Sequence, residues 1–183
     1  MGIRLTTDIC YLAGIMSKTR ESERSMVGIY TTVDEFVENF VALALRLGIE
    51  TRKITIEENE TGVKHLYAHN SKLAKQTREI IEKQNTLFRY RNEFSSSYLA
   101  GMFDASGNIL GGRPVINGIT ARDRVMLETL GVHTIGKRIV GSKEFVSLIK
   151  GKSVLLENKL LKRWREHAPA KAHSYTEGES QKL

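Results

Sequence analysis

Two similar apolar stretches carry, at their ends, the side chains that could do chemistry. The first, Tyr11 to Arg20, reads YLAGIMSKTR, and the second, Tyr98 to Asn108, reads YLAGMFDASGN. Phosphodiester cleavage with divalent cations needs carboxylates to hold the metal, and a neutral hydroxyl does not replace that charge. The only carboxylates at these ends are Asp104 and, just beyond the first stretch, Glu21.

The same small pair, Ala followed by Gly, stands in the middle of both stretches, as Ala13-Gly14 and Ala100-Gly101. Small residues at a crossing allow two helix backbones to approach closely. An ordinary core helix would explain either copy alone, but two copies in one chain predict a pair of central helices in contact through these four residues. Gly107 is expected to end the second helix in the left-handed conformation that glycine readily adopts.

The run from Leu99 to Gly107, LAGMFDASG, resembles the signature of the LAGLIDADG homing endonucleases and maturases, with eight of nine positions fitting loosely. The resemblance implies that two such helices pack side by side. It also implies that the acid before the final glycine of each copy binds the divalent metal that drives DNA cleavage. Those two positions are Thr19 and Ser106 here, and Arg20 replaces the first copy's final glycine. Asp104 matches the family's other aspartate, which the resemblance assigns to the helix end.

The loss of both acids predicts a chain that keeps the scaffold and lacks the cleavage centre. We therefore expect no catalytic residue, no metal site and no cofactor, with Mg²⁺ required only if the chain is an endonuclease after all. Lys18 and Arg20, beside Thr19, are expected to repel a cation. An altered metal site built from Glu21 or Asp104 is the alternative.

The bulk composition favours an anionic partner. The 183 residues contain 28 Lys and Arg against 21 Asp and Glu, a formal net charge of +7, and the pI is near 9.5. This charge fits nucleic acid, although many basic proteins merely have a solvated cationic surface. The single Cys10 excludes an internal disulfide framework. With no convincing signal peptide or membrane-spanning stretch, we expect a cytoplasmic protein. The family is familiar from archaea and organelles, and the composition suits a thermophile.

An internal repeat organises the chain. Leu12 and Leu99 are 87 residues apart, and Gly48 and Gly131, which end corresponding helices, are 83 apart. The element order resembles an α+β fold of two pseudo-symmetric αββαββα-like halves, with antiparallel saddle sheets and paired central helices, in a monomer with an internal pseudo-twofold axis. Only one strand is obvious between the first two helices. The expected division is a first half at 1–84, a packed connector at 85–94, a second half at 95–166 and a mobile tail at 167–183.

The strands supply the candidate binding surface. In the family, both sheets form a saddle along the DNA major groove. If Ile54, Ile56 and Leu66 face the core, alternation along strands 50–57 and 62–69 places their neighbours on the open face. The first-half candidates are Thr51, Lys53, Thr55, His65 and Tyr67, and those of the second half are Arg113, Asn117, Lys137 and Arg138. Any one of them alone is more simply a solvated side chain of a half-exposed sheet.

Three functions remain open at this stage. The first is a non-cleaving binder of DNA or structured RNA, such as intron or ribosomal RNA, which fits the missing acids. The second is an active endonuclease with an altered metal site. The third is an interaction module whose saddle binds a protein or ribonucleoprotein partner. Such a module would bind nucleic acid weakly and without site preference.

Overall fold

Two helices with the same Ala-Gly pair lie at the centre of the fold. The computed structural model describes residues 4–19, 25–140 and 142–158. The first half contains α1 Thr7–Met16, β1 Met26–Thr31, α2 Asp34–Arg46, β2 Ile54–Glu58, β3 Lys64–His69 and α3 Ser71–Glu82. A short helix, α4 Gln84–Leu87, leads to the second half. The second half contains α5 Glu93–Ser106, β4 Gly107–Leu110, β5 Arg113–Ile116, α6 Ala121–Thr129, β6 His133–Ile135, β7 Arg138–Val140 and α7 Ser142–Ile149. A last helix, α8, begins at residue 154.

The central helices α1 and α5 touch through their glycines, as the sequence predicts. A Cβ on Gly14 would lie 2.1 Å from the carbonyl oxygen of Tyr98, and one on Gly101 would lie 2.1 Å from that of Tyr11. Ala13 and Ala100 are fully buried beside them. The two contacts are related by the 87-residue repeat, so an internal pseudo-twofold axis passes through the crossing.

Each half adds an antiparallel sheet to this pair. The first sheet has the strand order β1-β3-β2 and the second has the order β4-β5-β7-β6. The second half therefore shows the αββαββα order, whereas the described part of the first half has one strand between α1 and α2. One face of each sheet packs on the central core, with Leu66 buried in the first and Ile116 and Ile139 in the second. The other face of each sheet is called the open face below.

A capping box begins helix α5, and the left-handed conformation expected of Gly107 at its other end is wrong. The helix α5 begins at Glu93 with Asn92 as its N-cap, and Ser95 completes a capping box by accepting a hydrogen bond from the Asn92 amide at 3.1 Å. Gly107 ends α5 with φ of −85°, outside the left-handed region. Glycine is needed there because a Cβ would lie 2.3 Å from the carbonyl oxygen of Phe103.

Helix α1 has an N-cap residue, and the expected connector contains one buried aromatic ring. Thr6 accepts a hydrogen bond from the Ile9 amide at 3.2 Å, as an N-cap residue does. Within 85–94, Phe88 is completely buried, whereas residues 89–93 are exposed. Within the described ranges, no helix is long and apolar enough to cross a membrane.

Candidate nucleic-acid interface

Both positions that carry the metal-binding acid in the LAGLIDADG pattern hold a hydroxyl that bonds to its own helix. The Oγ atom of Ser106 donates to the carbonyl of Met102 at 3.1 Å. Thr19 donates in the same way to the carbonyl of Met16 at 3.3 Å. Each hydroxyl therefore satisfies a backbone acceptor of the last helical turn, and neither brings a negative charge to the end of the central pair.

The one carboxylate in the second copy, Asp104, holds the helix end together. Its two oxygens accept hydrogen bonds from the Tyr11 hydroxyl at 2.6 Å, from Ser153, and from the Val154 and Leu155 amides at 2.8 and 3.1 Å. Burial raises the pKa of Asp104 to about 6, although these four donors oppose the shift. Asp104 thus caps α8 and joins it to α1. Because both of its oxygens already accept hydrogen bonds, it is poorly suited to be a metal ligand.

The end of the first copy is tied to the second half by a buried ion pair. The ammonium of Lys18 donates to Asp123 at 2.5 Å and to the carbonyl of Gly118 at 2.9 Å, and its side chain is 2% exposed. Burial alone would raise the pKa of Asp123, but hydrogen bonds from Lys18 and Thr120 hold it below its usual value. The expectation that Lys18 repels a cation is therefore wrong, because Asp123 neutralises it. Arg20 and Glu21 lie outside the described residues.

The open face of the first sheet is aromatic. Strand pairing places Tyr30 opposite His65, and Thr55 opposite Tyr67. The rings of Tyr30 and His65 stack with centroids 4.2 Å apart and planes 13° apart, and the ring of Tyr67 lies 4.6 Å from that of His65. His69 meets the edge of Tyr67 at 5.7 Å. Three sequence candidates, Thr55, His65 and Tyr67, therefore do share the open face.

The open face of the second sheet combines apolar and cationic side chains. Val115 pairs with Arg138, which in turn pairs with Ile135. Three large apolar side chains of this face are well exposed, with Ile135 at 72%; they are Leu110, Ile135 and Val140. A shallow cavity of about 390 Å³ is lined by Ile135 and Val140 from this set and by Arg113 and Arg138.

Four sequence candidates lie elsewhere. The strand position predicted for Thr51 and Lys53 is wrong, because both belong to a 3₁₀ turn before β2, where Lys53 bonds to Glu50 at 3.1 Å. Asn117 follows β5 and donates to the carbonyl oxygen of Ser106 at 3.1 Å, so it fastens the end of α5 instead of facing outward from a strand. Lys137 is an exposed residue of the turn between β6 and β7.

Two features of these faces were missed from the sequence. Tyr30 lies in a segment that reads as a strand, but its place in the aromatic row depends on pairing with β3, 35 residues further along the chain at His65. The exposed apolar side chains of the second sheet lie on strands of three or four residues. Strands that short give too few alternations to assign a face from the sequence.

Comparisons with known proteins converge on one fold. No protein-family model and no curated protein matches the sequence. Among solved structures, the homing endonuclease I-DmoI in complex with DNA and Ca matches with a TM-score of 0.62 and 19% identity, over 86% of this chain and 97% of that one. Its complex with DNA and Mn gives 0.61 and 18% over 79% and 97%. Its mesophilic variants give 0.59 and 18% over 78% and 94%.

The expectation of no cofactor is wrong by the same comparison. The matching I-DmoI structures were determined with DNA together with Ca or Mn, and a further variant with Mg. They point to a divalent cation as a companion of DNA on this fold. With its paired central helices, its two antiparallel sheets and these structural matches, the chain has the fold of the LAGLIDADG homing endonucleases.

Proposed function

We propose that this protein binds nucleic acid along the open faces of its two sheets and leaves the strands uncut. The observation that carries the proposal is the pair of hydroxyls, Thr19 and Ser106, at both positions where the fold's endonucleases carry their acid. Both hydroxyls are already bonded to backbone carbonyls. Without a carboxylate at either position, the protein lacks the charge that positions metal ions for strand cleavage.

The second sheet supplies the phosphate contacts in this proposal. Arg113 and Arg138 are exposed on its open face. The guanidinium group matches the geometry of phosphate and stays charged at all relevant pH values. The apolar side chains of the face have no donors or acceptors, so their only direct readout in a major groove is contact with thymine methyl groups.

A divalent cation belongs to the proposed complex, and nucleic acid would provide much of its coordination. In residues 4–19, 25–140 and 142–158, no three His, Cys, Asp or Glu side chains come together as a metal site. The described residues therefore do not fit a metal centre held by the protein alone. Mg²⁺ is often bound through phosphates and water with few protein ligands, and we infer that arrangement here.

An active endonuclease is the second candidate, and one observation favours it: the structures that share this fold were solved with divalent metal and DNA. It would need an acid close to the helix ends. Asp104 does not serve, because its oxygens already accept four hydrogen bonds at the start of α8. This candidate predicts Mg²⁺-dependent nicks in bound DNA.

The test is a binding measurement on randomised duplex DNA over a range of salt concentrations in Mg²⁺. A variant with both Arg113→Ala and Arg138→Ala should bind at least about tenfold more weakly and lose roughly two units of the salt slope, since each lost phosphate contact removes about 0.9. Arg124→Ala, on the exposed side of α6, is the matched control and should bind like the parent. Equal affinity of the double variant and the control would contradict the second sheet as the contact surface.

A further inference from the structure

A polar cavity between the two halves of the molecule takes no part in the proposed binding of nucleic acid. We propose that this cavity binds the oxyanion group of a small molecule, a carboxylate or a phosphate, between the ammonium of Lys152 and the hydroxyl of Ser97. Such a site goes beyond the proposed function and does not depend on it.

The cavity lies at the start of α1, at the opposite end of that helix from Thr19. Its volume is about 270 Å³, close to the lower limit of about 300 Å³ for pockets that hold small molecules. Helices α1 and α2 of the first half contribute to its lining, together with α5 and the turn between α7 and α8 of the second half. Since the lining residues lie on helices or in that turn, the cavity is distinct from the open faces of the sheets.

Two polar groups of the lining lack a partner among the described residues. Ser97 is 3% exposed and lines the cavity, yet its hydroxyl forms no hydrogen bond with any residue that the structure describes. Lys152 is half-buried, and its ammonium forms neither a hydrogen bond nor an ion pair within the same described ranges. Buried polar groups nearly always have a partner, so we expect these two donors to find theirs in the cavity.

The other charged groups of the lining are already paired. Arg46 donates to both oxygens of Asp8 at distances from 3.0 to 3.2 Å. The Tyr11 hydroxyl donates to Asp104 at 2.6 Å. Because the pair of Arg46 and Asp8 is neutral, Lys152 gives the lining one net positive charge. A carboxylate or a phosphate supplies both the negative charge and the acceptor oxygens that this lining lacks.

The turn that carries Lys152 is held in place on both sides of that residue. The Gly151 amide donates to Glu157 at 2.9 Å, and the Ser153 hydroxyl donates to Asp104. Gly151 itself has a φ of 73°, a left-handed conformation that suits glycine. The backbone at Lys152 is therefore ordered before any ligand binds, which lowers the entropy cost of binding.

The simpler account is that the cavity holds only water and that the Lys152 ammonium is solvated. Water would satisfy both donors, and it would give no preference for one anion over another at equal ionic strength. Saturable binding of an anion that depends on both Lys152 and Ser97 separates the two accounts.

The experiment titrates the intact protein with sodium phosphate and, separately, with sodium acetate, against sodium chloride at equal ionic strength. The backbone amide shifts of Ser97 and Lys152 are followed by NMR. We expect saturable shifts with at least one of the two anions, and the tighter binder identifies the phosphate or the carboxylate class. Lys152→Met should weaken binding roughly tenfold or more, the size of a hydrogen bond to a charged group, and Ser97→Ala about threefold. Lys150→Met, an exposed lysine of the same turn, is the matched control and should bind like the parent.

A thermal melt of each variant checks that it is folded. The absence of saturable shifts with both anions, or equal affinity of the parent and Lys152→Met, would overturn the inference. Weaker binding of duplex DNA by Lys152→Met than by Lys150→Met would also overturn it, because the cavity would then belong to the nucleic-acid surface. The proposed function is tested separately, by the double variant of Arg113 and Arg138.

Discussion

The central helices α1 and α5 meet through Gly14 and Gly101 in the same way, yet their C-terminal ends are held differently. At the crossing, each glycine faces the carbonyl oxygen of the tyrosine that starts the opposite copy, 2.1 Å from where a Cβ would stand. At the end of α1, Lys18 forms an ion pair with Asp123. At the end of α5, Asp104 accepts hydrogen bonds from the Tyr11 hydroxyl and from the Val154 amide at the start of α8. The close backbone contact at the crossing requires glycine in both copies. The ends have no such shared contact, so their side chains differ between the copies.

Both helix ends nevertheless join one half of the molecule to the other. Lys18, in the first half, donates to Asp123 in the second. Tyr11, in the first half, donates to Asp104 in the second. The polar groups nearest the family's metal positions are thus engaged in structural contacts. The crossing and the described parts of both ends therefore all contribute to stability.

The largest expected effect is at the crossing. Gly101→Leu and Gly14→Leu should each destabilise the fold by more than about 3 kcal/mol, because any side chain meets the backbone of the opposite helix. The melting temperature should fall by about 10 °C or more, and equally in both variants if the contact is symmetric. Ala42→Leu, on the exposed surface of α2, is the control and should melt like the parent. An unaltered melting temperature in either glycine variant would show that the pairing is misassigned.

The next largest loss of stability is expected when the buried ion pair at the end of α1 is broken. Lys18→Met leaves the Asp123 carboxylate buried without its ammonium partner and should cost about 3–5 kcal/mol in urea unfolding. Replacing both partners, Lys18→Met with Asp123→Leu, should recover part of that loss. The exposed pair of Lys83 and Glu79 is the matched comparison, and Lys83→Met should change stability by less than about 1 kcal/mol. Equal losses at the two lysines would mean that the Lys18 pair is solvated.

The third effect is a pH dependence of stability caused by Asp104 at the end of α5. Because burial raises the pKa of Asp104 to about 6, the folded state favours the protonated acid. Its stability contribution is complete below pH 4 and is lost as the pH rises through 6, by up to about 3 kcal/mol. Urea unfolding from pH 4 to 8 should therefore show the parent losing stability relative to Asp104→Asn. A parent that instead gains stability over this window would mean that the four donors outweigh burial.

Sequence patterns correctly predicted those features of the structure that are determined by residues close together in the chain. The glycine crossing followed from two Ala-Gly pairs at one offset, and Thr55, His65 and Tyr67 followed from alternation along β2 and β3. Alternation failed at Thr51 and Lys53 because the chain makes a 3₁₀ turn before β2 begins. A propensity-based reading gives no sign of that turn, which has no Gly or Pro.

Features that depend on distant partners could not be predicted. Lys18 looked like a charge beside the metal position, but its environment is set by Asp123, 105 residues away. Tyr30 joins the aromatic row only through pairing with β3. The expectation of no cofactor was wrong because it rested on two positions of this chain, whereas the matching structures were determined with DNA and a divalent cation together.

The most direct test of the central claim is to crosslink the protein to nucleic acid in cells that express it, recover DNA and RNA separately, and sequence both. The enriched species are then incubated with the purified protein in Mg²⁺ and in Mn²⁺, with a labelled strand to reveal nicks. The account predicts a defined enriched partner that is bound and remains intact in both metals. Metal-dependent cutting at the enriched site would contradict the roles assigned to Thr19 and Ser106, and the absence of any enriched nucleic acid would contradict binding itself.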